Sequence, residues 1–185
     1  MRILAALVRA IGGLNWLIGN VFSWLALAIV LVCFTVVVQR YVFSTTQLWM
    51  QDLYVWLNGA MFTAVAGFAL LRNDHVRVDI FYRPASTRTK AIIDIIGVVL
   101  FLLPFCFVVY AYGITFVQRS WRIYEASANP GGLRGLFILK SFIIVFAALI
   151  ALQGVAMVLR SILVLARSEH LLPADLRYES DGSSH

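Results

Sequence analysis

The chain reads as an all-α integral membrane protein: four transmembrane helices, with both termini on the cytoplasmic side. Three features lead there. Four long apolar stretches, at about residues 14–38, 53–71, 91–117 and 135–159, are parted by short polar segments. Each meets or nearly meets the roughly 20 apolar residues that a helix needs to cross ~30 Å of hydrocarbon. Apolar residues make up 62% of the 185 and charged residues only 13%, against roughly 25% charged in soluble domains. A backbone in lipid must also satisfy its own hydrogen bonds, which makes each crossing a helix.

The first stretch follows Arg2 and Arg9, and Ala26-Leu27-Ala28 imitates a signal-peptidase site. The apolar run continues through Val30, Phe34 and Val38, longer than a signal peptide's core, so an uncleaved span is expected. Just before the second stretch, Trp49, Asp52 and Trp56 stand at i, i+3 and i+7. Aromatics suit the headgroup level, and an acid near a helix start meets the positive end of its dipole. Within the stretch, Gly59, Thr63 and Gly67 recur every fourth residue beside Ala60 and Ala64. Such a stripe lets a second helix approach closely, from this chain or from a partner.

The third stretch carries Asp94 near its inner end and Cys106 within it. The fourth has a shorter small-residue stripe, Ala147, Ala151 and Gly154, and places Lys140 about 7.5 Å inside its outer end at 1.5 Å rise per residue. A lysine at that depth snorkels outward, and its apolar neighbours offset the insertion cost. Asn58 and Gln153 are polar at membrane depth and are expected to form interhelical hydrogen bonds. Residues 1–165 thus form one membrane domain. Residues 166–185, ending in Ser and Gly, read as a flexible polar tail.

Four crossings put both termini and the central loop on one side. That side holds ten of the fifteen Lys and Arg residues, and the connections 39–52 and 118–134, with Lys140, hold five. The bias marks the inner face.

Several function classes fall away. The net charge of +6 borders spans rather than forming a basic, aromatic-laced soluble patch, so lipid headgroups and not nucleic acid are the expected partners. His75, His170 and His185 all lie outside the spans, where no pair can ligate a haem between helices. Cys33 and Cys106 form no C-x-x-C. No catalytic or metal motif is present, and neither an enzyme activity nor a cofactor is expected.

Two segments go beyond generic membrane patterning. One is Gln51-Asp52-Leu53 with Trp56, Gly59, Ala60 and Phe62, followed by Arg72-Asn73-Asp74-His75-Val76-Arg77-Val78-Asp79. The other is Ser120-Trp121, Glu125, Ser127 and Asn129-Pro130-Gly131-Gly132-Leu133, then Lys140 and Leu152-Gln153-Gly154. Together they resemble the small, DctQ-type membrane subunit of tripartite ATP-independent periplasmic (TRAP) transporters, from about residue 14 to 165. Asp52 stands where many such subunits carry Glu, which keeps the charge.

The resemblance implies a division of labour in a bacterial inner membrane. A periplasmic solute-binding protein captures a small solute, usually an organic acid. A large multi-span subunit moves it by an elevator-like motion driven by an ion gradient. The small subunit braces the large one and holds no solute site. Residues expected at partner or lipid interfaces are Trp49, Asp52, Trp56, Gly59, Thr63, Gly67, His75, Arg77, Asp79, Asn129 and Lys140. Arg77 and Asp79 suit pairing with the large subunit or with lipid phosphate. Asn129-Pro130-Gly131-Gly132 reads as a tight turn shaping the outer loop, because Pro fixes φ and Gly admits positive φ. The competing reading is a self-contained small exporter or channel built as a homo-oligomer.

Overall fold

The computed structural model describes residues 1–72, 85–173 and 176. Helices α1 (Arg2–Ser23) and α2 (Leu25–Tyr41) follow one another with only Trp24 between them. Then come α3 (Leu48–Leu71), α4 (Thr87–Gly97), one π-helical turn (Val98–Leu102), α5 (Leu103–Arg122) and α6 (Leu136–Leu165). Since α1 runs on into α2, and α4 into α5, the result is four long apolar helices, each long enough to cross a membrane. The described residues form no sheet; a lone antiparallel bridge joins Ala126 to Arg134.

Every helix outruns its apolar stretch. Hydropathy marks the part that lipid can cover, whereas a helix continues wherever one of its faces finds a neighbour. In α1 that face is Ala5, Val8, Gly12, Asn15 and Gly19, spaced alternately by three and four residues, all buried. The first rod therefore spans 40 residues, about 60 Å at 1.5 Å per residue.

Helix α6 is the hub, lying against α1, α3, α4 and α5. Its register with α1 is antiparallel: Leu163 meets Ala5 and Val8, Gln153 meets Asn15, and Phe142 meets Phe22 edge to face. Small residues set the spacing. A Cβ added at Gly19 would collide with Phe68 of α3, and one at Gly154 would come within 2.6 Å of Leu102. Both stripes expected from the sequence turn inward, with Ala60, Ala64 and Gly67 of α3 and Ala147 and Gly154 of α6 buried. Helix α2 differs. It packs chiefly on α3, and none of its residues is buried.

Local chemistry explains the breaks. Pro104 lacks an N–H, and its ring crowds the carbonyl four residues back. The wider turn just before it, in which the Leu103 N–H reaches back to Val98 O, makes room. Helices α5 and α6 both end with a left-handed residue, Tyr124 (φ 45°) and Arg167 (φ 55°). In each, the next N–H returns to a carbonyl five residues earlier, Glu125 to Ser120 at 3.1 Å and Ser168 to Leu163 at 2.8 Å. This closure satisfies carbonyls that a helix end leaves open.

Of the residues read as a tail, 166–173 and 176 are described, and several of them pack on the bundle. After α6 a 3₁₀ turn, Glu169–Leu171, seats Leu172 in a buried cluster with Ala5, Val8 and Leu163, and Leu171 and Leu176 pack against it. The average composition of residues 166–185 is polar, but its few leucines cover the apolar ends of α1 and α6. The start of α1 and the residues just after α6 thus lie at one end of the bundle.

Candidate functional site

Four polar ties hold the helices and the loop between α5 and α6 together, two at the loop end of the bundle, one at the other end and one between. At the loop end, Asp52 of α3 is buried and accepts from Asn129 Nδ2 at 2.8 Å and from the Leu133 N–H at 3.0 Å. Ser127 lies beside the same carboxylate. The loop can make this bond because of its turn. The Gly132 N–H donates to Asn129 O at 2.9 Å, Pro130 takes the second position, and Gly131 takes the third with φ 76°. Positive φ there is the signature of a type II turn. Gly132 passes so close to Asp52 that a Cβ would strike the carboxylate.

Asp52 was expected at a helix start, facing the dipole. It lies instead past the first turn of α3, and its carboxylate serves loop donors. Trp49 stays partly exposed and Trp56 half-buried.

The same loop is fastened to α6. Lys140 Nζ donates to Glu125 Oε2 at 2.5 Å and sits 4.1 Å from the centre of the Phe116 ring. The lysine was expected to snorkel, and a carboxylate and an aromatic face take the place of bulk water. The neighbouring ammonium holds the Glu125 carboxyl below its usual range. Beside it, Trp121 Nε1 donates to Ser141 Oγ at 2.9 Å while its ring stands edge to face against Phe137.

Between the ends, Asn15 of α1 donates through Nδ2 to Gln153 Oε1 of α6 at 3.0 Å, and its carboxamide fills the space left by Gly67 of α3. Three helices therefore meet at one amide pair. The expected interhelical bond of Gln153 is present, but Asn58 is exposed and makes no side-chain hydrogen bond among the described residues. Gly59 approaches Leu139 of α6, where a Cβ would come within 3.3 Å. Thr63 turns its hydroxyl proton back to Gly59 O at 2.8 Å.

At the opposite end, near the start of α1 and the close of α6, Arg160 of α6 meets Asp94 of α4 at 3.1 Å, and Lys90 is buried one turn from Asp94. Sequence reasoning missed Asn15, Glu125 and Arg160 as members of these ties. Asn15 carried a signal, a polar residue at a buried position of the three-and-four spacing. His75, Arg77 and Asp79 lie outside the described residues. No group of three His, Cys, Asp or Glu suited to a metal ion occurs among the described residues.

Residues 29–164 match the family described as tripartite ATP-independent periplasmic transporters, DctQ component. The chain belongs to that family. It is a TRAP transporter small permease subunit, a multi-pass membrane protein and a transporter component rather than an enzyme. TRAP systems pair the DctQ component with a large permease subunit and a solute-binding protein. No curated protein and no solved structure matches the chain. The matched range takes in α3, the Asn129–Leu133 turn, Lys140 and Gln153, so three of the four ties lie wholly inside it and Asn15, the partner of Gln153, lies before it.

Proposed function

We propose that this DctQ subunit is a fixed brace for a large, elevator-type permease subunit, and that it holds no solute itself. The observation that carries the reading is the use of its polar groups at membrane depth. Asn15 is engaged with Gln153, Asp94 with Arg160 and Lys140 with Glu125, each tying one element to another. A brace needs interhelical ties of this kind, because lipid supplies no hydrophobic drive for helices to associate. Rigid wedging of small residues against large ones, Gly19 on Phe68 and Gly154 on Leu102, supports the same role.

In this reading the complex lies in a bacterial inner membrane and takes up a small solute, an organic acid by family analogy, using an ion gradient. The excess of Lys and Arg near the termini and in the central loop supports a cytoplasmic side for them. The Asp52-anchored loop then faces the periplasm, where a solute-binding protein docks.

Purification of a tagged chain from gently solubilised membranes tests the assembly. Coelution with the large permease subunit at fixed stoichiometry is expected. Elution as a homo-oligomer that conducts solute unaided would favour a self-contained exporter or channel instead.

A further inference from the structure

We propose that the helix bundle crosses the bilayer obliquely, its axis tilted about 40° from the normal. Lipid then meets the first rod (Arg2–Tyr41) nearer the loop end than it meets the third (Thr87–Arg122). The inference stands apart from the brace, which requires no particular tilt.

Contacts fix the heights of the four apolar stretches along α6. On the first rod, Asn15 meets Gln153 and Phe22 meets Phe142. On α3, a Cβ at Gly59 would touch Leu139 and one at Gly67 would touch Leu149. On the third rod, Asp94 meets Arg160, Leu102 abuts Gly154 and Gly113 abuts Ile143. Carried along these pairs, the midpoint of each stretch takes a height on α6. Ala26 stands near the height of Lys140, Phe62 near Ile143 and Pro104 near Leu152, while α6 has its own midpoint at Ala147. The midpoints recede from the loop end in the order in which the helices pack, the first rod lying on α3 and α6 and the third chiefly on α6. The whole shift, about twelve residues, is about 18 Å at 1.5 Å rise. Over two interhelical spacings of about 8–10 Å each, it amounts to a slope of about 45°.

The lengths of the stretches give nearly the same angle. Those at about residues 14–38, 91–117 and 135–159 run about 37–40 Å at 1.5 Å rise, although ~30 Å suffices for an upright crossing. Tilting takes up such an excess, and the ratio of these lengths corresponds to about 40°.

An upright bundle would strand apolar surface at opposite ends of opposite flanks. Centred on α6, it would push Phe34 and Val37 of α2, 66% and 51% exposed, out of the hydrocarbon at the loop end. Ile92 and Ile96 of α4, each 48% exposed, would leave it at the other. Oblique insertion keeps both flanks in lipid. The occupant of the α2 flank is lipid by its composition too. Its exposed Leu27, Val30, Leu31, Phe34 and Val37 are large, whereas helices that pack on helices present small residues. The first turns of α1, with exposed Arg2 and Arg9, are left at headgroup level. There Leu171 and Leu172 cover the apolar ends that lipid covers elsewhere.

Polarised infrared spectroscopy of the unsubstituted chain in oriented phosphatidylethanolamine–phosphatidylglycerol bilayers reads the mean helix tilt from amide dichroism. About 40° is expected, against the ~20° average of membrane helices. Nitroxides on Phe34→Cys and Ile96→Cys, in a chain with Cys33 and Cys106 replaced by alanine, test the two flanks separately. Each label should collide with oxygen, which concentrates in hydrocarbon, several-fold more often than with a water-soluble nickel chelate. The preference should reverse on Ala128→Cys in the exposed loop. A mean tilt of about 30° or less would overturn the oblique setting. So would nickel reaching either flank label, or a flank label shielded from both reagents. Coelution with the large permease subunit is a separate measurement, so failure here leaves the brace standing.

Discussion

Arg160 Nη2 lies 3.1 Å from Asp94 Oδ2, with only 8% and 7% of the two side chains exposed. This ion pair joins the close of the last long helix to the start of the third rod. Removing one partner from such a pair leaves an uncompensated charge and costs about 3–5 kcal/mol, whereas replacing both with apolar residues of similar volume is often neutral. Asp94→Asn or Arg160→Met alone should therefore lower the thermal stability of the purified subunit, and Asp94→Leu with Arg160→Met should recover only part of it, because Lys90 stays buried one turn from position 94. Scanning the four proteins by fluorescence-detected gel filtration after heating reads this directly.

Asp52 pins the loop between α5 and α6 through two charge-assisted hydrogen bonds. Bonds to charged groups contribute about 1.5–3 kcal/mol each. Asp52→Ala should free residues 125–135 to exchange amide hydrogens faster, while exchange within α6 stays slow. Gly132→Ala should do the same by driving a methyl into the carboxylate. Unchanged loop exchange in both variants would remove Asp52 from its anchoring role.

Glu125 gives the loop a pH response of defined sign. Its pKa is lowered by hydrogen bonding to Lys140. A carboxyl with a depressed folded pKa stabilises the structure above its unfolded value, about 4.3, and that contribution disappears as pH falls through the lower folded value. The environment of Trp121, which abuts this tie, should stay constant from neutral pH down to about 5, where an unperturbed carboxyl is still mostly ionised, and change only in more acidic solution. The fluorescence difference between the native chain and Trp121→Phe reports it, and Glu125→Gln should abolish the acid transition.

Glycine substitutions separate packing from propensity. Gly67→Ala places a methyl on the Asn15 carboxamide and should destabilise by about 1–3 kcal/mol, the usual range for overpacking. Gly13 and Gly97 have no heavy atom within 4 Å of an added Cβ. Alanine there should be neutral or stabilise by about 0.5–1 kcal/mol, as expected in a helix interior. Melting temperatures of the three variants in one detergent make the comparison.

The number of crossings was legible because hydropathy measures what lipid demands. The type II turn was legible too, since Pro130 and Gly131 carry their φ angles in their chemistry. Helix lengths were not, because the ends of α1 and α6 are set by contacts between distant segments that no local pattern reports. The same limit hid the ties. Lys140 and Glu125 were both singled out, yet only folding of the loop back onto α6 brings them together. Arg160 looked like an orientation charge at the close of a span, and its partner Asp94 is 66 residues away. Leu172 was lost in the polar average of its surroundings.

Solute accumulation in proteoliposomes tests the central claim most directly. Vesicles holding this subunit with the large permease subunit, supplied with the binding protein and an ion gradient, should accumulate solute. Vesicles holding this subunit alone should match empty ones. Accumulation by the lone subunit above the empty-vesicle level would contradict the reading of this chain as a brace that holds no solute.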